Sequence, residues 1–161
     1  MSQPQEFILG EFPRSMDERF RLSLPAELAE PLVAGGAECM LAKESPGCLS
    51  LWNAAGWKAK LDEGVELVKS KIRAGKLEGR LAEVQKLSRL LSTRHRAVQL
   101  AGRGRLTIPE GFREFLAVEP GGDVIVVGAG VCVEIWSPTA WLAHLGEHMA
   151  DFRQLFDNLS S

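Results

Sequence analysis

The chain has 161 residues, enough for one compact domain or two small ones, and its 45% hydrophobic and 25% charged residues are ordinary globular composition rather than disorder. A net charge of −2 does not by itself point to nucleic acid, and no run approaches the about 18 apolar residues of a membrane helix, the strongest being Val124–Val133, broken by Gly128 and Gly130. Met1–Gly10 lacks the basic start and apolar core of a secretory signal. Cys39, Cys48 and Cys132 form no Cys-x-x-Cys pair and no even set, so a cytoplasmic chain with buried thiols is expected.

Taken in chain order, Met16–Leu24 alternates, with Phe20, Leu22 and Leu24 on one face and Arg19, Arg21 and Ser23 on the other, which predicts a strand. Pro25-Ala-Glu-Leu28 predicts a short helix or turn, since a missing N–H costs nothing in a first helical turn. Cys39–Ala42 and Cys48–Trp52 flank Ser45-Pro-Gly47 and predict a hairpin. Leu61, Val65, Val68 and Ile72, then Leu77, Leu81, Val84 and Leu91, have helical spacing with a break at Gly75. A second strand (Leu106 and Ile108 inward; Arg103, Arg105 and Thr107 outward), a turn at Pro109–Phe112 and a hairpin around Gly128-Ala-Gly130 follow. From Thr139 on, Trp141, Leu142, Leu145, Met149, Phe152, Leu155 and Phe156 recur at helical intervals. The class is α+β.

The second half repeats the first. Arg19-Phe-Arg-Leu-Ser-Leu-Pro25 returns as Arg103-Gly-Arg-Leu-Thr-Ile-Pro109, and the same offset of 84 pairs Leu32 with Leu116, Cys48 with Cys132, Trp52 with Trp136 and Trp57 with Trp141. All four tryptophans fall into register. The expected organisation is repeat 1 at 7–57, a helical linker at 58–90, repeat 2 at 91–141 and a helical tail at 142–161, the repeats related by pseudo-twofold symmetry. The second hairpin is almost continuously apolar (Val124, Val126, Val131, Val133, Ile135). It is expected to be buried on both faces, pointing to a subunit or repeat interface and hence to a homo-oligomer, with Phe152 and Phe156 covering part of it.

Charge is unevenly spread. Val84–Pro109 holds no acidic residue but carries Lys86, Arg89, Arg94, Arg96, Arg103 and Arg105, whereas 110–161 has eight acidic residues against two arginines. The Arg-x-Arg pairs at Arg19/Arg21 and Arg103/Arg105 are the candidate site. A guanidinium fork suits bidentate contacts to phosphate or guanine, and a two-stranded ribbon fits the major groove. The competing reading is a solvated strand face, with the arginines pairing to acids of neighbouring subunits in a structural oligomer. Other motifs carry less. Val124-Ile-Val-Val-Gly-Ala-Gly130 lacks the third glycine of a dinucleotide fingerprint, having Val133 there. His144-Leu-Gly-Glu-His148 matches an inverted zinc-protease spacing but contains a glycine and leaves only thirteen residues for another ligand. Trp52 and Trp136 read as core. No catalytic, metal or cofactor site is expected, so the chain is read as a non-enzyme.

Asp17-Glu-Arg-Phe-Arg-Leu-Ser-Leu-Pro25 resembles the Asp-x-x-x-Arg signature with its Leu-Ser-[Val/Ile]-Pro continuation in the MraZ family, and Ala101-Gly-Arg-Gly-Arg-Leu-Thr-Ile-Pro109 resembles the same motif in that family's second half. The resemblance implies two tandem SpoVT/AbrB-like swapped-hairpin β units. It also implies a DNA-binding, nucleoid-associated regulator of the division and cell-wall gene cluster, binding repeated elements of double-stranded promoter DNA as a ring-like homo-oligomer. Arg19, Arg21, Arg103 and Arg105 would contact DNA, with Asp17 and Gly104 supporting the motif. An AbrB-type antitoxin-like regulator is the alternative within the superfamily. Two departures stand out: Phe20 replaces the usual glycine, so the first loop is expected to be shaped differently, and Ala101 replaces the aspartate in the second.

Overall fold

The computed structural model describes residues 7–161. In chain order the strands are β1 (Ile8–Ser15), β2 (Arg21–Ser23), β3 (Glu38–Ser45), β4 (Cys48–Asn53), β5 (His95–Gln99), β6 (Arg105–Thr107), β7 (Asp123–Gly130) and β8 (Val133–Trp136). The helices are α1 (Ala26–Leu32), α2 (Ala54–Arg73), α3 (Leu81–Arg94), α4 (Phe112–Leu116), α5 (Pro138–His148) and, after one 3-10 turn, α6 (Phe152–Ser160). The α+β expectation holds.

Strand pairing interleaves the two halves. One antiparallel six-stranded sheet runs β1-β7-β8-β4-β3-β5, and β2 pairs with β6 in a separate ribbon. Each half thus supplies the outer strand that covers the other half's hairpin: β1 lies on β7, and β5 lies on β3. One core results, to which Leu22, Leu28, Leu49 and Leu51 contribute beside Leu106, Phe112, Val133 and Ile135. The helices after the hairpins start on equivalent caps: Asn53 Oδ1 accepts from Ala55 N at 3.2 Å, and Ser137 Oγ accepts from Ala140 N at 3.2 Å.

The ungapped register fails in β3. Leu41 pairs with Leu51 as Val126 pairs with Ile135, so the offset is 84 on one side of the ladder and 85 on the other. A bulge between Lys43 and Ser45 absorbs the extra residue, and β7–β8 pairs without such a shift.

Val124, Val126, Val133 and Ile135 are buried as expected, and the first-half strands β1 and β4 of this same chain, with the core, cover them; Val131, at 54%, faces solvent. Three expectations need correction. Burial on both faces fails: β7 alternates, with Ile125 and Val127 half-buried. Phe152 and Phe156, 66% and 61% exposed, do not cover that hairpin. Finally, Gly128 lies inside β7 rather than in the turn. A Cβ there would come within 2.6 Å of the Ile8 carbonyl, so glycine permits the close approach of β1. The thiols are buried and free as expected, and burial pushes Cys39 up to about 11 and Cys132 to about 12.

Candidate nucleic-acid interface

The β2–β6 ribbon places the two arginine motifs side by side. Leu22 faces Leu106 in register, and both are fully buried, which fixes the opposite face outward. On that face Arg21 stands opposite Thr107, and Ser23 opposite Arg105. Only Arg21–Ser23 and Arg105–Thr107 are strand; the longer strand read over Met16–Leu24 is corrected to a turn followed by a short strand. Arg19 and Arg103 therefore sit on turns, not on the ribbon face beside Arg21 and Arg105.

The first turn is built on Asp17. Its Oδ1 accepts from the backbone N–H of Arg19 at 2.8 Å and of Arg21 at 2.9 Å, and its Oδ2 accepts from Arg21 Nε at 2.6 Å. The Arg21 backbone N–H, more than its guanidinium, holds the Asp17 carboxyl below its ordinary value, so it stays ionised. This pair fixes the Arg21 side chain by its inner nitrogen and leaves the two terminal nitrogens for a ligand. In the second turn Ala101 offers no carboxylate; Arg105 N donates to the Ala101 carbonyl at 2.8 Å instead. The loops nevertheless share a shape. Phe20 adopts φ +60° where Gly104 adopts φ +80°, and the ribbon closes symmetrically through Ile108 N to Phe20 O (2.9 Å) and Leu24 N to Gly104 O (3.0 Å). The expected difference in the first loop is thus corrected: packing and these hydrogen bonds impose the left-handed conformation on Phe20.

Arg19, Arg21, Arg103 and Arg105 are all exposed, and among the described residues Arg19, Arg103 and Arg105 make no ion pair. Beside them an open cleft of about 280 Å³ is lined by Arg14, Ser15, Asp17, Arg21, Ser23 and Arg105.

Known proteins resemble this chain over nearly its whole length. The family model described as "MraZ protein, putative antitoxin-like" matches residues 93–160. A protein named Transcriptional regulator MraZ from Micrococcus luteus is 30% identical over 146 residues, covering 91% of this chain and 92% of its own. The chain belongs to the MraZ family. Proteins of the same name from Syntrophomonas wolfei and Heliobacterium modesticaldum are 27% and 28% identical, each over 94% of this chain and 95% of their own. The MraZ family model reaches the second turn, and the alignments to MraZ relatives span nearly the whole chain.

The acid-free basic run does not form one surface in this MraZ-family chain. Arg94 is paired with Glu44 at 3.2 Å, and the Arg96 guanidinium lies 5.7 Å from the Phe112 ring centroid. Arg14, by contrast, lies in neither repeated motif and escaped sequence reading; its repeat equivalent is Val98, so no pattern announces it. His144 and His148 do share a helix face, with ring centroids 4.6 Å apart, but His144 packs on Trp136 at 4.8 Å. Among the described residues no group of three or more His, Cys, Asp or Glu converges as a metal site.

Proposed function

We propose that this chain is a sequence-specific, duplex-DNA-binding transcriptional regulator whose contact surface is the outer face of the β2–β6 ribbon and its two turns. Arg19, Arg21, Arg103 and Arg105 make the contacts, Asp17 orients Arg21, and Gly104 permits the second turn. The observation that carries this reading is the register of Leu22 on Leu106. It buries the apolar face of both motifs and turns Arg21 and Arg105 to solvent on one face, with Arg19 and Arg103 exposed on the turns that lead into it. Two short strands presenting guanidinium groups fit a major groove, where arginine reads guanine O6 and N7 and neighbouring phosphates set the register. The relatives' name, Transcriptional regulator MraZ, supports the same role.

In this reading residues 7–57 and 91–141 are pseudo-twofold-related units, with a linker at 58–90 and a tail at 142–161. Copies assemble into a ring-like homo-oligomer that lines several ribbons along repeated promoter elements of the division and cell-wall gene cluster. The exposed apolar side chains of α2, α3, α5 and α6, among them Leu67, Leu90, Leu142 and Phe152, supply surface for that assembly. Anisotropy titrations of promoter duplex with wild type and a folded Arg19/Arg21/Arg103/Arg105 quadruple alanine variant test the assignment. Equal affinity of the two would reduce the arginines to a solvated face.

A further inference from the structure

The cleft beside the ribbon is not symmetric. Its walls come from the end of β1 (Arg14, Ser15), the first turn (Asp17) and the facing ribbon residues Arg21, Ser23 and Arg105. Advancing by the repeat offset of 84 replaces Arg14 of β1 by Val98 and Asp17 of the turn by Ala101, so the second half cannot build the same walls.

Charge inside the cleft is unevenly compensated. The carboxylate of Asp17 is bound to Arg21, and the neighbouring Asp123 accepts a 2.6 Å hydrogen bond from Ser15 Oγ. Arg14 has no ion-pair partner among the described residues. It spends one N–H on its own preceding carbonyl, Pro13 O, at 2.9 Å, and its guanidinium lies 5.6 Å from the Phe12 ring centroid. Its stem is thereby held against β1 while most of its donors stay free. Arg105 and Ser23, paired in the ribbon register, face it across the cleft. Two uncompensated guanidinium groups, one hydroxyl donor and an open mouth suit a tetrahedral oxyanion carrying one negative charge.

We propose that Arg14, Ser23 and Arg105 clasp one phosphodiester group of the duplex backbone, once per chain and only on the Asp17 side of the ribbon. This rests on the DNA-binding reading and deepens it. Arg21, tethered through Nε to Asp17, forms the wall of the cleft and keeps its terminal nitrogens for a base edge. A backbone phosphate clasped on one side fixes the direction in which the ribbon lies along the groove, which a symmetric pair of turns leaves open.

The test is a salt series of duplex titrations with full-length wild type, Arg14→Ala, and Arg14→Gln, which keeps most of the stem on β1. Folding is checked by circular dichroism. Both variants should bind specific and random duplexes on the order of 3- to 10-fold more weakly near 0.15 M salt, with the log K against log salt slope flatter by about one for each engaged chain. Arg14→Lys should recover the slope. Unchanged affinity and slope in a folded Arg14→Gln, with wild type binding DNA, would overturn the cleft while leaving the DNA reading intact. Absence of duplex binding by wild type would overturn both. Melting in inorganic phosphate at constant ionic strength separates the sources of the anion. Stabilisation of wild type that Arg14→Gln abolishes, together with unchanged duplex binding, would assign the cleft to free phosphate and overturn the backbone assignment.

Discussion

The guanidinium of Arg113 lies over the ring of Phe20, 4.5 Å from its centroid, and the residues 84 positions away from these two, Ala29 and Gly104, meet on the other side of the ribbon. A Cβ added to Gly104 would sit 3.0 Å from the Ala29 Cβ. The two crossings are therefore filled in opposite ways, small on small in one and ring on cation in the other. Arg113 also donates through Nε to the Ile108 carbonyl at 2.6 Å, so its position over Phe20 is fixed from the ribbon itself.

These crossings should respond differently to substitution. Gly104→Ala adds a left-handed penalty and crowds Ala29, so a loss of about 1–3 kcal/mol is expected. Phe20→Gly relieves a comparable penalty but gives up buried ring area and the cation contact, so its net effect should stay within about 1 kcal/mol. Urea unfolding midpoints of the two variants check this; a Phe20→Gly loss as large as that of Gly104→Ala would mean that Phe20 is not strained.

Asp17 makes a pH prediction with a definite sign. Its folded value lies below the ordinary 3.8, so its contribution to stability is fully present above that value and is lost as pH falls through the folded one. Asp17→Ala should therefore be less stable than wild type at pH 7 and converge with it at strongly acid pH. Because the carboxylate stays ionised from pH 5 to 8, duplex affinity should show no Asp17 titration in that range. A gap in stability that did not narrow as pH fell below 3.8 would sink the account.

The helices carry the oligomer prediction, on a different basis from the one the sequence suggested. Phe152, Leu155, Phe156 and Leu159 repeat along one face of α6 and are all more than half exposed. We expect wild type to sediment above its 17.6 kDa chain mass and a Phe152→Ser/Phe156→Ser variant to shift toward smaller species. A clean monomer of wild type at micromolar concentration would contradict it.

What the sequence disclosed follows from where side-chain pattern determines structure. The repeat was legible because Leu22 and Leu106, Leu28 and Phe112, and Leu51 and Ile135 are core pairs at one offset, and burial constrains residue type. The apolar run at Val124–Ile135 was legible as buried but not as to what buries it, since β1 covers β7 from more than a hundred residues away. Alternation at Met16–Leu24 imitated a long strand because Asp17 diverts the backbone into a turn through hydrogen bonds that periodicity does not register. Arg14 was invisible for the converse reason: it belongs to the site by sheet topology alone.

Within the arginine set, Arg21 and Arg103 are held differently. Arg21 is held by Asp17 at 2.6 Å with its fork unoccupied, a geometry suited to a guanine edge; Arg103 rides on a turn between Gly102 and Gly104 with no such tether. A tethered fork loses little freedom on reading a base, whereas a mobile one is better matched to the less directional demands of a phosphate. Arg21→Ala should thus cost roughly 1–3 kcal/mol on the preferred sequence and much less on others, relaxing specificity. Arg103→Ala should weaken all duplexes alike and flatten the salt slope by about one, from a wild-type value of roughly −4 to −7. Asp17→Asn should follow Arg21→Ala in losing discrimination, because the amide keeps the volume but releases the charged tether. If instead Arg21→Ala lowered affinity uniformly across sequences while Arg103→Ala changed the preferred base, the roles of the two turns would be reversed, and Asp17 would serve the fold of its loop rather than the aim of Arg21.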